Sequence, residues 1–296
     1  MTIDPALHKT AKVHSMLLGA IHPRPIAFAS TLNEHGEPNL APFSFFNVFS
    51  ANPPILIFSP ARRARDNTTK HTFENVKKVR EVVINIVNYS MIQQMSLASC
   101  EFPEGVNEFE KSGLTPIASH KIKPFRVQES PAQFECVVKD IIELGTEGGA
   151  GNLIICEVVM MHFHDDILAV DGSIDQTKID TVARMGGDWY CRANGSAIFE
   201  IAKPNAKLGI GVDAIPHEIR NSKILTGNNL GQLGNIEQLP NETAVNEYRL
   251  TELSDLFIQF ESDAKKLEEE LHLHAKWLLE KNDVVGAWKV LLSFNN

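Results

Sequence analysis

The sequence predicts a mainly β fold with α-helices, an antiparallel barrel followed by a helical C-terminal extension. Three observations point there. Strand-like apolar runs separated by turn residues fill the first part of the chain, at residues 26–31, 40–49, 55–59, 82–87, 134–144 and 153–163. A stretch rich in Gly and Asn follows at 209–234. From Glu242 the apolar residues switch to a 3-4 spacing, the period of a helix. With 296 residues and 43% hydrophobic content, the chain can bury a core as one large domain or two.

Residues 1–20 read as a short helix or arm. The stretch from His22 to Ser59, HPRPIAFASTLNEHGEPNLAPFSFFNVFSANPPILIFS, carries the first three strands. Asn33-Glu34-His35-Gly36 reads as a hairpin turn, because Asn33 and Gly36 tolerate positive φ. Pro53-Pro54 ends the second run and opens the third, since proline brings no N–H to a ladder. A polar loop with Arg62, Arg63 and Arg65 leads into a helix over 70–80, where Phe73, Val76 and Val79 keep the helical spacing and Thr72 or Thr69 is the expected cap. Residues 89–100 read as a helix with Ile92, Met95 and Leu97 inward. A polar excursion over 102–118 holds a short helix at 107–112. Residues 134–144 and 153–163 pair across the glycine-rich loop 145–151, and 167–170 is expected as a last short strand. That loop is no dinucleotide fingerprint, because it leads into a strand where a helix is needed.

In the extension, residues 215–222 read as a helix. Leu250, Leu253, Phe257, Phe260, Ala264, Leu267, Leu271, His274 and Leu278 then make a seam of about four heptads. Glu261 precedes Lys265 by one turn, a supporting pair. His272-Leu273-His274 reads as a surface and seam pair. Asn282-Asp283 breaks the run, and residues 284–294 fold back as a second helix. Cover for the seam can come from the barrel, from that second helix or from another copy, and spacing alone does not choose.

Composition sets limits. No run of about 18 apolar residues is present, so no membrane span is expected. The first twenty residues carry an early acid and only a short apolar patch, which does not read as a secretory signal. A formal charge of −9 argues against broad nucleic-acid binding. Cys100, Cys136, Cys156 and Cys191 are widely spaced and form no CxxC, so buried free thiols in the cytoplasm are expected.

Two stretches carry candidate chemistry. Ser59, Arg62, Arg63, Arg65, Lys70 and Thr72 lie in a loop leading to a helix start, a setting that favours an anion. By residue type alone, a solvated basic loop is the commoner fate of such a run. Ala41-Pro42-Phe43-Ser44-Phe45-Phe46-Asn47 interleaves aromatics with small polar groups, as a strand lining a flat heterocycle would. Alternation places Ala41, Phe43, Phe45 and Asn47 on one side and Pro42, Ser44 and Phe46 on the other. His162 and His164 share a strand face without a visible third ligand, and no metal site is expected. No GxSxG, HExxH or GxxxxGK[ST] occurs.

PRPIAFAST, GEPNLAPFSFFN, PPILIFSP and KHTFENV, in that order, resemble the flavin reductase-like, FMN-binding split-barrel family from about residue 20 to about residue 190. The resemblance implies a six-stranded antiparallel split barrel of Greek-key character over residues 15–195, with 196–296 as the helical extension. It implies FMN as cofactor. Ser59, Lys70, Thr72 and one of Arg62 or Arg63 would hold the phosphate, His71 standing where the family usually has Asp. The flavin would lie along Asn39, Ala41, Pro42, Ser44, Phe45, Phe46 and Asn47 and touch Ser30 and Thr31. His164, Arg184 and Tyr190 would lie close to it.

The implied activity is an NAD(P)H:flavin (FMN) oxidoreductase, with His164 and Arg184 at the hydride-transfer edge and NADH or NADPH as a transient co-substrate. Electrons would pass to free flavin, a partner oxygenase, iron or oxygen. The alternatives are a non-enzymatic FMN-binding electron-transfer or flavin-carrier protein, and an interaction protein whose barrel has lost its cofactor. A homodimer is expected, with a small-molecule substrate or a redox partner protein.

Overall fold

The computed structural model describes residues 1–201, 204 and 207–295. The chain forms two compact units, Met1–Phe199 and Glu200–Asn296.

The first unit opens with helix α1 (Thr10–Ala20), none of whose residues is buried. Strands β1 (Ala27–Leu32), β2 (Pro38–Phe43), β3 (Phe46–Ala51) and β4 (Pro54–Phe58) follow, then α2 (His71–Val79) and β5 (Glu81–Ile86). Two short helices, α3 (Ile92–Ala98) and α4 (Glu108–Ser112), lead through the small strands β6 (Pro116–Ile117) and β7 (Arg126–Val127) to the long pair β8 (Ala132–Glu143) and β9 (Asn152–Phe163). The hairpin β10 (Val182–Arg184) and β11 (Tyr190–Arg192) completes the unit.

The large sheet has seven strands in the order β2-β1-β5-β8-β9-β4-β3, and every neighbouring pair is antiparallel. This corrects the six-stranded expectation. The run 40–49 is not one strand. It breaks at Ser44-Phe45, where the Phe45 carbonyl accepts the N–H of Ser59 at 2.8 Å. The two halves become opposite edges of the sheet, so the sheet is open and the barrel is not closed. The break also resets the alternation. Phe43 and Phe46 both pack into one apolar cluster, although strict alternation would separate them.

Both faces of the sheet centre are covered, which is why β1 is buried at every position. Ala27, Ala29, Val82 and Ile84 face Phe73 and Val76 of α2. Phe28 and Leu40 face Met95 of α3 and Phe109 of α4. Leu97 is 45% exposed, not inward, and Met91 takes the core position. In the 33–36 turn only Gly36 takes positive φ; Asn33 acts through its side chain, accepting the N–H of His35 and of Glu37 at 2.9 and 3.0 Å. The last short strand expected at 167–170 does not form: Ile167 ends a 3₁₀ turn over Asp165–Ile167, and Leu168 makes only an isolated bridge to Ile174. Arg24 ties the unit's beginning to its end. Its guanidinium donates to the carbonyls of Leu18 and Ile21 and, at 2.8 Å, to that of Met185.

The second unit is helical: α5 (His217–Arg220), α6 (Gly227–Gly234), α7 (Glu242–Glu252), α8 (Ser254–Gln259), α9 (Ala264–Glu280) and α10 (Val284–Leu292). The predicted long heptad helix is three helices. It breaks at Leu253 and again before α9, which Asp263 caps by accepting the Lys266 N–H at 3.0 Å. Leu250 is therefore 74% exposed and Ala264 is exposed, while Leu253, Leu267, Leu271 and Leu278 are buried. Glu261 lies in the turn before α9 and makes no pair with Lys265. The buried seam is covered inside the unit, by Ala287, Trp288, Val290 and Leu291 of α10. The Trp288 indole N–H reaches the Leu233 carbonyl at 3.0 Å. His272 is no surface residue; it is buried, with its Nδ1 2.7 Å from the Ser222 hydroxyl. Among the described residues, no helix is long and apolar enough to cross a membrane.

Candidate functional site

β1 and β2 are registered so that Thr31 stands opposite Asn39. Both lie against the first turn of α2, and a buried polar network joins them. The Asn39 amide donates to the Thr72 hydroxyl at 2.9 Å, and the Asn75 amide donates to the Thr31 hydroxyl at 3.0 Å. Each threonine accepts here and keeps its own proton for another partner. Lys70 is the N-cap of α2 and gives no side-chain cap, and neither Thr69 nor Thr72 caps it as expected; Thr69 bonds Glu74 and Thr72 is buried in the network. The first N–H groups of a helix have no partner within it, so this helix start offers donors and a positive dipole end.

Beside the network is a cleft of about 140 Å³. Asn39, Ala41, Pro42 and Phe43 of β2 form one wall; Arg63, Lys70, His71 and Thr72 form another; the segment Ala98 to Phe102 and Glu108 close it. Arg63 and Lys70 approach one carboxylate, Glu101. Arg63 Nε is 2.9 Å from Glu101 Oε1 and Lys70 Nζ is 3.7 Å from it, while Arg65 Nη2 is 3.0 Å from Oε2. Burial and the neighbouring Arg63 charge hold the Lys70 ammonium below its ordinary pKa. Hydrogen bonds from Arg65 and Arg63 hold Glu101 below the usual carboxylate value. Glu108 is buried and its carboxyl is pushed up by desolvation, although it accepts the Leu40 N–H at 3.0 Å.

The structure brings Asn39, Ala41, Pro42, Arg63, Lys70 and Thr72 together, with Thr31 one hydrogen bond behind. The two arginines left open by the sequence separate here. Arg63 lines the cleft, whereas Arg62 is bonded through Nε and Nη2 to Asn67. Ser59 accepts the Asn152 N–H at 3.0 Å, away from the cleft lining. Ser30 is fully buried in β1 and its hydroxyl has no partner among the described residues. Ser44, Phe45, Phe46 and Asn47 belong to the break and to β3. Phe46 turns into the core, and Phe45 and Asn47 are exposed.

His164 follows the end of β9 and lies in a separate shallow depression with Gln128, Phe163, Asp165 and Asp166. Arg184 stacks over the Tyr190 ring at 4.6 Å and donates to the Gly187 carbonyl at 2.7 Å. His162 does not share its surroundings with His164. Its Nε2 is 2.7 Å from Glu135, a fully buried carboxylate that also accepts the N–H groups of His120 and Lys121 at 2.7 Å each. Burial pushes the Glu135 carboxyl up, but these donors outweigh it and leave it below its ordinary value. Among the described residues no three His, Cys, Asp or Glu stand in a metal-holding group. Cys136 and Cys156 are buried free thiols, while Cys100 is exposed, against expectation. Glu101, Glu108 and Asn75 were not singled out in the sequence. Glu101 carries no local signal, since its cationic partners lie more than thirty residues earlier.

These elements define an open antiparallel sheet flanked by helices, with a cation-lined cleft between an edge strand and a helix start. The chain belongs to the flavin reductase like domain family, whose model matches residues 18–176. It is 35% identical over 189 residues to an uncharacterized protein of Aquifex aeolicus, a match covering 64% of this chain and 94% of that one. Nitrilotriacetate monooxygenase component B from Bacillus cereus superposes with a TM-score of 0.63 at 30% identity, covering 68% of this chain and 98% of that one. A Shewanella frigidimarina protein assigned as a flavin reductase with a split barrel domain gives 0.57 at 27% identity, covering 68% and 100%.

Proposed function

We propose that this protein is an FMN-containing oxidoreductase that takes a hydride from NADH or NADPH and passes electrons on. The observation that carries the reading is the meeting of Arg63, Lys70, Thr72 and the start of α2 with Asn39, Ala41 and Pro42 of β2 in one cleft. Two cations, a hydroxyl and helix N–H groups are the donor set a phosphomonoester requires. The residues fit the phosphate of FMN, although two carboxyl groups share the cleft: Glu101, which sits on the cations, and Glu108, which burial pushes toward its neutral form.

Bound FMN would supply the hydride-accepting ring system. The chain's own residues hold and orient. Arg63, Lys70 and Thr72 take the phosphate; Asn39, with Thr31 behind it, fixes the strand side; Ala41 and Pro42 give apolar contact. Arg184 is assigned to nicotinamide or flavin phosphate and His164 to the edge where the hydride donor arrives. The acceptor is free flavin, a partner oxygenase, iron or oxygen; the oxygenase is supported by the likeness to a monooxygenase component. The free thiols support a cytoplasmic setting.

A cleft of about 140 Å³ is smaller than the roughly 300–1,000 Å³ of ordinary ligand pockets. The rest of the cofactor therefore needs further cover. Val48 and Phe49 of edge strand β3 are each 63% exposed, and no residue of α1 is fully buried. We assign these surfaces to a homodimer contact.

Purified protein should be yellow, release FMN by mass, bleach on anaerobic titration with NADH or NADPH, and scatter light as a dimer. Stoichiometric FAD, or a colourless protein that takes up no FMN, defeats the cofactor assignment. Bound FMN that neither nucleotide bleaches makes the protein a flavin carrier instead.

A further inference from the structure

Glu101 occupies the two cations that the proposed phosphate site depends on. Its Oε1 faces Arg63 and Lys70, and its Oε2 faces Arg65. The three cations form a gradient outward: the side chains of Arg63, Lys70 and Arg65 are 17, 34 and 71% exposed. Glu101 itself is 45% exposed and sits in the segment joining α3 to α4, where Pro103 and Gly105, at φ +81°, interrupt regular structure. A phosphate reaching Arg63 and Lys70 has to displace a carboxylate already there. Arg65, which Glu101 shares with Asp66, holds the other oxygen farther out and gives that carboxylate a place to go.

We propose that Glu101 is an exchangeable internal anion. It pairs with Arg63 and Lys70 and yields them to an incoming phosphate dianion by shifting onto Arg65. This rests on the phosphate assignment made above and adds a selectivity to it. A carboxylate carries one negative charge and a phosphomonoester near neutral pH carries nearly two, so the dianion wins the cation pair. A neutral flavin without phosphate gains nothing by displacing Glu101. The residue thus sets a threshold that only a doubly charged ligand crosses.

The experiment compares wild type, Glu101→Gln and Glu101→Asp by fluorescence titration and stopped-flow mixing with FMN and with riboflavin. Gln keeps the shape and removes the charge. Glu101→Gln should bind FMN about five- to tenfold more tightly, mainly through faster association, with riboflavin affinity unchanged, and Glu101→Asp should stay near wild type. Arg65→Ala should weaken FMN binding more in wild type than in the Glu101→Gln background, because only the native carboxylate needs the outer partner.

Unchanged or weaker FMN binding by Glu101→Gln overturns the proposal and makes Glu101 a brace for Arg63. So does an equal gain for riboflavin. If wild type and variants all bind no FMN, the phosphate assignment to a flavin falls, and inorganic phosphate becomes the probe. Stronger thermal stabilisation of Glu101→Gln than of wild type by phosphate keeps the exchange; equal stabilisation, or none, removes it.

Discussion

Glu135 and Glu101 are both carboxylates that hold a loop of the first unit, and they do so in opposite ways. Glu135 is fully buried and takes two backbone N–H groups and the His162 ring, all at 2.7 Å. Two of its three donors are backbone N–H groups, which cannot swing away to another partner. Glu101 is half-exposed, and its partners are three long, flexible cationic side chains at 2.9–3.7 Å. The difference separates a structural carboxylate from one that can be exchanged. Donors supplied by backbone lock a loop; donors supplied by side chains at the rim of a cleft can change partner.

Three substitutions sharpen the contrast. The largest effect is expected for Glu135→Ala, which leaves buried donors unpaired and should cost about 3 kcal/mol of stability at neutral pH. The sign of its pH dependence follows from the lowered folded-state value. The contribution is complete above the ordinary value of 4.5 and is lost as pH falls through the folded value, so the gap between wild type and variant should close on acidification. Urea melts from pH 7 down to pH 3 report it, and a gap that stays constant would break the comparison.

Lys70→Ala comes next. It should weaken FMN binding by about 1.5–3 kcal/mol, the range for a charge-assisted hydrogen bond, while changing the melting temperature little. Unchanged affinity takes Lys70 out of the site. Smallest is Glu108→Gln. Glu108 has a raised folded value, so the stability of its neutral form is present below the ordinary 4.5 and is lost as pH rises through the folded value. The variant should therefore gain up to about 1 kcal/mol at neutral pH and match wild type near pH 4. Equal melts at both pH values would contradict the burial argument.

Much of this was legible in the sequence where the signal is local. The apolar runs of β1, β4, β5, β8 and β9 and the spacing of Phe73, Val76 and Val79 placed the sheet and α2. The cleft residues Lys70 and Thr72 came from one short motif. The break at Ser44-Phe45 was hidden because both sides of it are apolar, so a one-residue reset of the alternation leaves no compositional trace. Glu101 was hidden because its meaning lies in charges brought to it by the fold. The seam in the second unit misled for another reason. A heptad count ignores caps, and Asp263, which begins α9, was present as a signal that the spacing outweighed.

The Arg24 clamp has a consequence for where the first unit ends. Its guanidinium joins the carbonyls of Leu18 and Ile21 to that of Met185, and the Arg24 and Arg184 backbones exchange hydrogen bonds of 2.9 Å in both directions. The family match stops at residue 176, nine residues short of that carbonyl. A fragment trimmed to the match would keep the buried cation and lose the acceptor that tethers it. The first unit is thus fastened by a buckle that closes through the β10–β11 hairpin, and sequence similarity alone would cut the belt before its last hole.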